Sequence, residues 1–231
     1  MTPNTAHAHD VHRRLLAHYG EPARQERRDP LTELVVTILS QNTADVNRDR
    51  AYRSLRARFA SWEEVRAAPV AALEDAIRVA GLANTKAPRI HRILEDLHRE
   101  RGSLDLDFLA EMSTEEAREY LLALHGVGPK TAACVLLFSL HKPALPVDTH
   151  VQRVSLRLGL VPPRTPPERT ERLLEAALPP ETYYAFHLNM IRHGRTLCTA
   201  ARPRCSECPL LPICAYGASL GIAPAEAADD A

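Results

Sequence analysis

Two groups of side chains in this sequence are equipped for chemistry: one amine and four thiols. The chain carries 29 lysines and arginines, yet lysine occurs only at Lys86, Lys130 and Lys142. Everywhere else arginine supplies the positive charge. A phosphate clamp accepts arginine readily. An amine nucleophile does not, because a guanidinium stays protonated and forms no imine. Lys130 falls in the first turn of an expected helix, where the positive end of the helix dipole disfavours an ammonium ion. That is one way to make a lysine nucleophilic near neutral pH. The plainer reading is a lysine that only holds phosphate. The thiols are Cys198, Cys205, Cys208 and Cys214, spaced C-x6-C-x2-C-x5-C. Four thiols within 17 residues call for a metal if the compartment is reducing. Structural zinc sites usually offer two C-x2-C pairs and this segment has one, so zinc and an iron–sulfur cluster both stay open. Cys134, in an apolar run, reads as a small buried hydrophobe.

The element that must position Lys130 is LHGVGPKTAACVLLFS, residues 124–139. Gly126 and Gly128 flank Val127, which lets the backbone take positive φ and come close to another molecule. Pro129 suits the first position of a helix. The pattern resembles a helix–hairpin–helix that grips a DNA backbone through its amides. An ordinary glycine-closed turn has the same look. Asp148 opens a second expected helix, DTHVQRVSLRL, and on local sequence is a plain N-cap. Gln41 lies in a polar cluster that ends the apolar stretch 31–40, and Leu82 follows Gly81 before a long basic helix.

The remaining elements read as helices. Ser61 with Glu64, Ser113 with Glu116, and Thr165 with Glu168 have capping-box spacing. No strand alternation and no repeat period stands out, so the expectation is an all-α chain of about ten helices. Its 231 residues suffice for one large or two small domains. HKPALP, residues 141–146, is a stiff linker and a candidate boundary. No apolar run is long enough to cross a membrane, and the N-terminus lacks the apolar core of a signal peptide, so a cytoplasmic location is expected. Formal net charge is zero. Nucleic-acid binding would therefore need a local basic face, for which Arg192, Arg195, Arg202 and Arg204 are candidates. Residues 215–231 read as a frayed tail.

Taken in order, LHGVGPKTA, PVDTHVQRV and HGRTLCTAARPRCSECPLLPIC resemble the endonuclease III family of DNA repair glycosylases over roughly residues 10–216. The resemblance implies two helical domains flanking a DNA-binding cleft. One is a six-helix barrel over 29–146. The other is an iron–sulfur cluster domain formed by 1–28 with 147–231, holding a [4Fe–4S] cluster on Cys198, Cys205, Cys208 and Cys214. It implies that Lys130 attacks C1′ of a damaged nucleotide and that Asp148 serves the same reaction. Gly126 and Gly128 would hold a phosphate. Gln41, Leu82 and His150 would fill or probe the gap left by a flipped base. The implied activity is removal of oxidised pyrimidines from duplex DNA, followed by β-elimination at the abasic site. The implied partner is double-stranded DNA carrying damaged or abasic nucleotides, bound by a monomer in the cytoplasm, at the nucleoid in a bacterium. A mismatch-specific thymine or uracil glycosylase, or a non-catalytic cluster-bearing DNA-binding protein, are the alternatives. Three departures bear on substrate range. His125 stands where proline is frequent, SQNT around Gln41 resembles a divergent branch, and the charge is neutral.

Overall fold

A computed structural model describes residues 5–24 and 26–222. It is 69% helical, and no strand forms among the described residues. Backbone contacts divide the chain into two compact units, Glu26–Lys142 and Met1–Gln25 with Pro143–Ala231.

The unit Glu26–Lys142 is built around α2 (Pro30–Ser40), whose residues 30–39 are all buried. Asp29 starts this helix by accepting from the Thr32 N–H at 2.8 Å, and Pro30 takes the position where a missing N–H costs nothing. Around it run α3 (Asp45–Arg58), α4 (Trp62–Ala67), α5 (Val70–Ile77), α6 (Ala83–Arg101), α7 (Thr114–Ala123) and α8 (Pro129–Cys134). α2 packs on α3, α6 and α8, so it has no wet face. Leu34, Ile38, Ile77, Ile90 and Val135 meet in this core with no measurable exposure, each worth about 1.5–3 kcal/mol of burial.

In the other unit, α9 (Thr149–Leu158) packs on α10 (Pro167–Ala177), α11 (Tyr183–Thr196) and α12 (Ala215–Ser219). The N-terminal helix α1 (Thr5–Tyr19) lies against α10 and α11, burying Val11 and Leu15. Polar tethers hold this distant segment in place. Asn189 donates to the Gly20 carbonyl at 3.1 Å and Tyr184 to the Ala23 carbonyl at 3.0 Å.

Local details depart from expectation where tertiary bonds compete. Ser113 and Glu116 form the full capping box. Ser61 accepts from Glu64 N–H, but the Glu64 carboxylate reaches Ala60 N–H instead of closing the box on Ser61. The Thr165 box does not form, because its hydroxyl donates back to the Pro162 carbonyl and Pro166 becomes the N-cap. The helix after the hairpin is α only to Cys134; Val135–Ser139 widens to a π turn, with Leu140 N–H bonded to the Val135 carbonyl at 3.1 Å. Residues 215–219, expected to fray, form α12. The remainder of that tail, 223–231, lies outside the described residues.

Candidate nucleic-acid interface and thiol cavity

Lys130 projects from the first turn of α8, half-buried, two residues after the N-cap Gly128. Gly126 has φ +73°, the conformation the hairpin turn needs from a glycine. Nothing lies within 4 Å of a Cβ built on Gly128, so its backbone stands open to a close approach. The three lysines have separated into two roles. Lys142 donates to the Ala110 and Met112 carbonyls. Lys86 is only 2% exposed, and its Nζ donates to the Leu39 carbonyl at 2.8 Å, Thr43 Oγ1 at 2.8 Å and the Ala80 carbonyl at 2.9 Å. Three N–H groups meet three acceptors. Burial, then the nearby Arg89 charge, pull the Lys86 pKa down to about 8. Lys130 alone of the three has no hydrogen-bond or ion-pair partner among the described residues.

Lys86 is a residue that sequence reasoning missed. Its spacing placed it on a long basic helix, and only the fold shows that it points inward. It fastens the two segments that carry Gln41 and Leu82. Gln41 ends α2 and accepts from Arg89 Nη1 at 2.7 Å. Leu82 starts α6 in the left-handed region, φ 51°, with 53% of its surface exposed. Both features are unfavourable for leucine, and a strained exposed apolar residue is a candidate for function.

In the other unit Asp148 is the N-cap of α9. Its Oδ1 accepts from the N–H groups of His150 (2.9 Å) and Val151 (2.8 Å). Oδ2 has no partner among the described residues. The cap therefore leaves half of the carboxylate available. His150 Nδ1 lies 3.2 Å from Arg153 Nη2, and its Cβ faces Gly194 of α11.

All four expected cysteines line one cavity of about 350 Å³, counting its open mouth, together with Arg157, His193 and Tyr216. Burial, followed by the neighbouring thiols, pushes Cys208 up to about 11, and the same causes raise Cys205. Four thiolates here would need a cationic group between them. Among the described residues no three of these side chains converge closely enough to hold a single ion. The four thiols line that one cavity instead. Arg157 fixes the rim, donating to the Thr199 and Ala200 carbonyls at 2.7 and 2.9 Å and to Cys198 Sγ at 3.3 Å. His193 Nε2 lies 3.6 Å from Cys208 Sγ. The expected basic face is partly spent on the fold. Arg192 stacks on Tyr19 and bonds its carbonyl, and Arg204 pairs with Glu207 at 3.1 Å.

Residues 35–180 match the model of the family described as HhH-GPD superfamily base excision DNA repair protein. The chain is 38% identical over 195 residues to endonuclease III of Thermotoga maritima, covering 84% of this chain and 87% of that one. It is 36% identical over 175 residues to the DNA glycosylase/AP lyase ROS1 of Arabidopsis thaliana, covering 68% of this chain but 13% of that protein. It spans 9% of the rice relative ROS1C. Among solved structures, a trapped endonuclease III–DNA covalent intermediate superposes with a TM-score of 0.80 at 28% identity, covering 94% of this chain and 99% of that one.

Proposed function

The chain belongs to the HhH-GPD superfamily of base excision DNA repair proteins, and from that membership we propose a bifunctional DNA glycosylase and abasic-site lyase that acts on duplex DNA through Lys130. The observation that carries this reading is the unengaged amine. Two of the three lysines are consumed by backbone carbonyls, and the third, beside the glycine hairpin, has no partner among the described residues.

A base inside a duplex shields C1′ until its nucleotide is extruded. The hairpin at Gly126 and Gly128 positions a backbone phosphate through its amides. The Nζ lone pair of Lys130 forms a bond to C1′ as the bond from C1′ to the base breaks, and the base leaves with a proton. Positive charge develops on the sugar, and the free Oδ2 of Asp148 stabilises it. Opening of the sugar gives an imine. Loss of a C2′ proton then drives cleavage of the C3′–O bond, the 3′ phosphate leaves, and water releases Lys130. Leu82 and Gln41 fill the gap left in the stack, and His150 is a further DNA contact by resemblance to the family.

The donor set of the thiol cavity fits a [4Fe–4S] cluster, with Cys198, Cys205, Cys208 and Cys214 as ligands; it would act as a structural staple for the loop 198–214. Arg157 sits where its charge offsets that of a thiolate; His193, held neutral because burial and then the His18 charge pull its pKa down to about 4, lies beside Cys208 Sγ. Oxidised pyrimidines such as thymine glycol are the proposed substrates, since poorly stacked bases cost less to extrude. The setting is the cytoplasm, where chromosomal DNA is accessible in a bacterium.

Borohydride tests the central step, because hydride reduces the imine to a stable amine. The protein should cross-link to lesion-bearing duplex, and Lys130→Arg should abolish cross-linking while DNA affinity persists. A Lys130→Arg protein that still cross-links overturns the assignment. Cleavage of thymine or uracil opposite guanine, with thymine glycol ignored, would move the substrate to the mismatch class.

A further inference from the structure

The Gln41 amide is held at both ends. Arg89 Nη1 donates to its Oε1 at 2.7 Å. A guanidinium has donors only, so this contact determines which end of the amide is oxygen. Gln41 Nε2 reaches Thr131 Oγ1 at 3.4 Å, a long bond that leaves its second N–H unspent. Thr131 adjoins Lys130 in α8. The path by which Arg89 arrives is equally specific. A Cβ built on Gly126 would overlap Arg89 Nε and stand 2.8 Å from its Cδ. The hairpin glycine thus leaves the lane through which the arginine crosses to Gln41. Lys86, one turn earlier on α6, fixes the backbone of the same segment through Leu39 and Thr43.

We infer that Arg89 is a positioning residue that presents Gln41 only as a hydrogen-bond donor, and so sets which base is tolerated opposite an extruded nucleotide. This rests on the reading of Gln41 as a residue that fills the gap. An unrestrained amide turns over and offers either its oxygen or its NH2 group to whatever base it meets. With Oε1 occupied, only N–H remains. A base edge presenting an acceptor is satisfied. An edge presenting an amine sets donor against donor, which raises discrimination to the order of tenfold.

The test is equilibrium binding to duplexes carrying tetrahydrofuran, an uncleavable abasic analogue, opposite each of the four bases at one salt concentration. The intact protein should spread its affinities about tenfold between the best and worst opposite base. Arg89→Ala should compress that spread to about twofold, and Arg89→Lys should restore it, because an ammonium also only donates. Gln41→Glu keeps a partner for Arg89 but replaces the donor with an acceptor, so the rank order of bases should invert. An Arg89→Ala protein with the full spread, or a spread that survives Gln41→Ala, overturns the inference. Imine trapping is read separately. A protein that traps but binds all four duplexes alike loses this inference and keeps its chemistry; one that discriminates through Arg89 without trapping does the reverse.

Discussion

Gly194 and His150 approach so closely that no side chain fits between them: a Cβ on Gly194 would stand 2.9 Å from the His150 Cβ. His150 is the second residue of α9, two residues after the Asp148 cap. Gly194→Ala should therefore push the start of α9 away from α11. The expected cost is about 1–3 kcal/mol of stability, typical of overpacking. Base excision should fall more than stability does, measured by comparing single-turnover excision with thermal melts.

Asp148 holds its helix through Oδ1 and presents Oδ2. Asp148→Asn retains an oxygen that can cap α9 but removes the charge. Melting should change by less than about 1 kcal/mol, within the range for cap exchange. Base release should slow by on the order of 10²-fold or more, as for loss of a transition-state charge partner. Cleavage of a pre-formed abasic site, where no base departs, should suffer less.

Leu82 combines a left-handed backbone with an exposed side chain. Leu82→Gly removes the backbone penalty, about 1–2 kcal/mol for a residue with a Cβ, and also the side chain that would enter the stack. Stability should hold or rise while excision from duplex falls. Activity on single-stranded lesions, where no gap needs filling, should fall less. Equal losses on both substrates would argue against a wedge.

Lys86→Met leaves the Leu39 and Ala80 carbonyls and the Thr43 hydroxyl without their shared donor. The expected loss is about 1–3 kcal/mol, because the buried Leu39 carbonyl is left unpaired while the Thr43 hydroxyl still reaches the Ala80 carbonyl. The pH dependence has a defined sign. The folded pKa is about 8 and the unfolded reference 10.5. Between these values the unfolded chain binds more protons, so wild type should gain stability relative to Lys86→Met as pH rises from about 8 toward 10.5. Urea melts of both proteins across that window check the slope.

Removing one cavity thiol should expose the role of the bound group. Cys205→Ala or Cys208→Ala should lose visible colour and iron, about four atoms per chain when intact, and should lower the melting temperature or solubility. Cys134→Ala, a buried apolar site in the other unit, should keep its colour. A colourless wild-type protein holding one zinc would sink the cluster assignment.

The helices were legible because their signals are local. Asp29-Pro30, Ser113 with Glu116, and the apolar run of α2 each state their own structure within a few residues. The hairpin and the four-cysteine spacing were legible for the same reason. What the chain order hides is convergence. Lys86 and Arg89 are far from Gln41 in sequence, and nothing in KAPRI distinguishes an inward lysine from a solvated one. Only the placement of α6 against the end of α2 reveals the tripod and the oriented amide. Thr165 failed as a capping residue because Pro162 offered its carbonyl first.

The Lys86 tripod also bears on when order is acquired. It fixes the chain at Leu39, Thr43 and Ala80, on either side of the residues proposed to enter a stack. Fixing one residue's backbone costs about 1–2 kcal/mol of conformational entropy. Here that cost falls on folding, before any ligand arrives. Association should then carry little further ordering penalty in this region, and the protein can sample many sites with a surface that is already set.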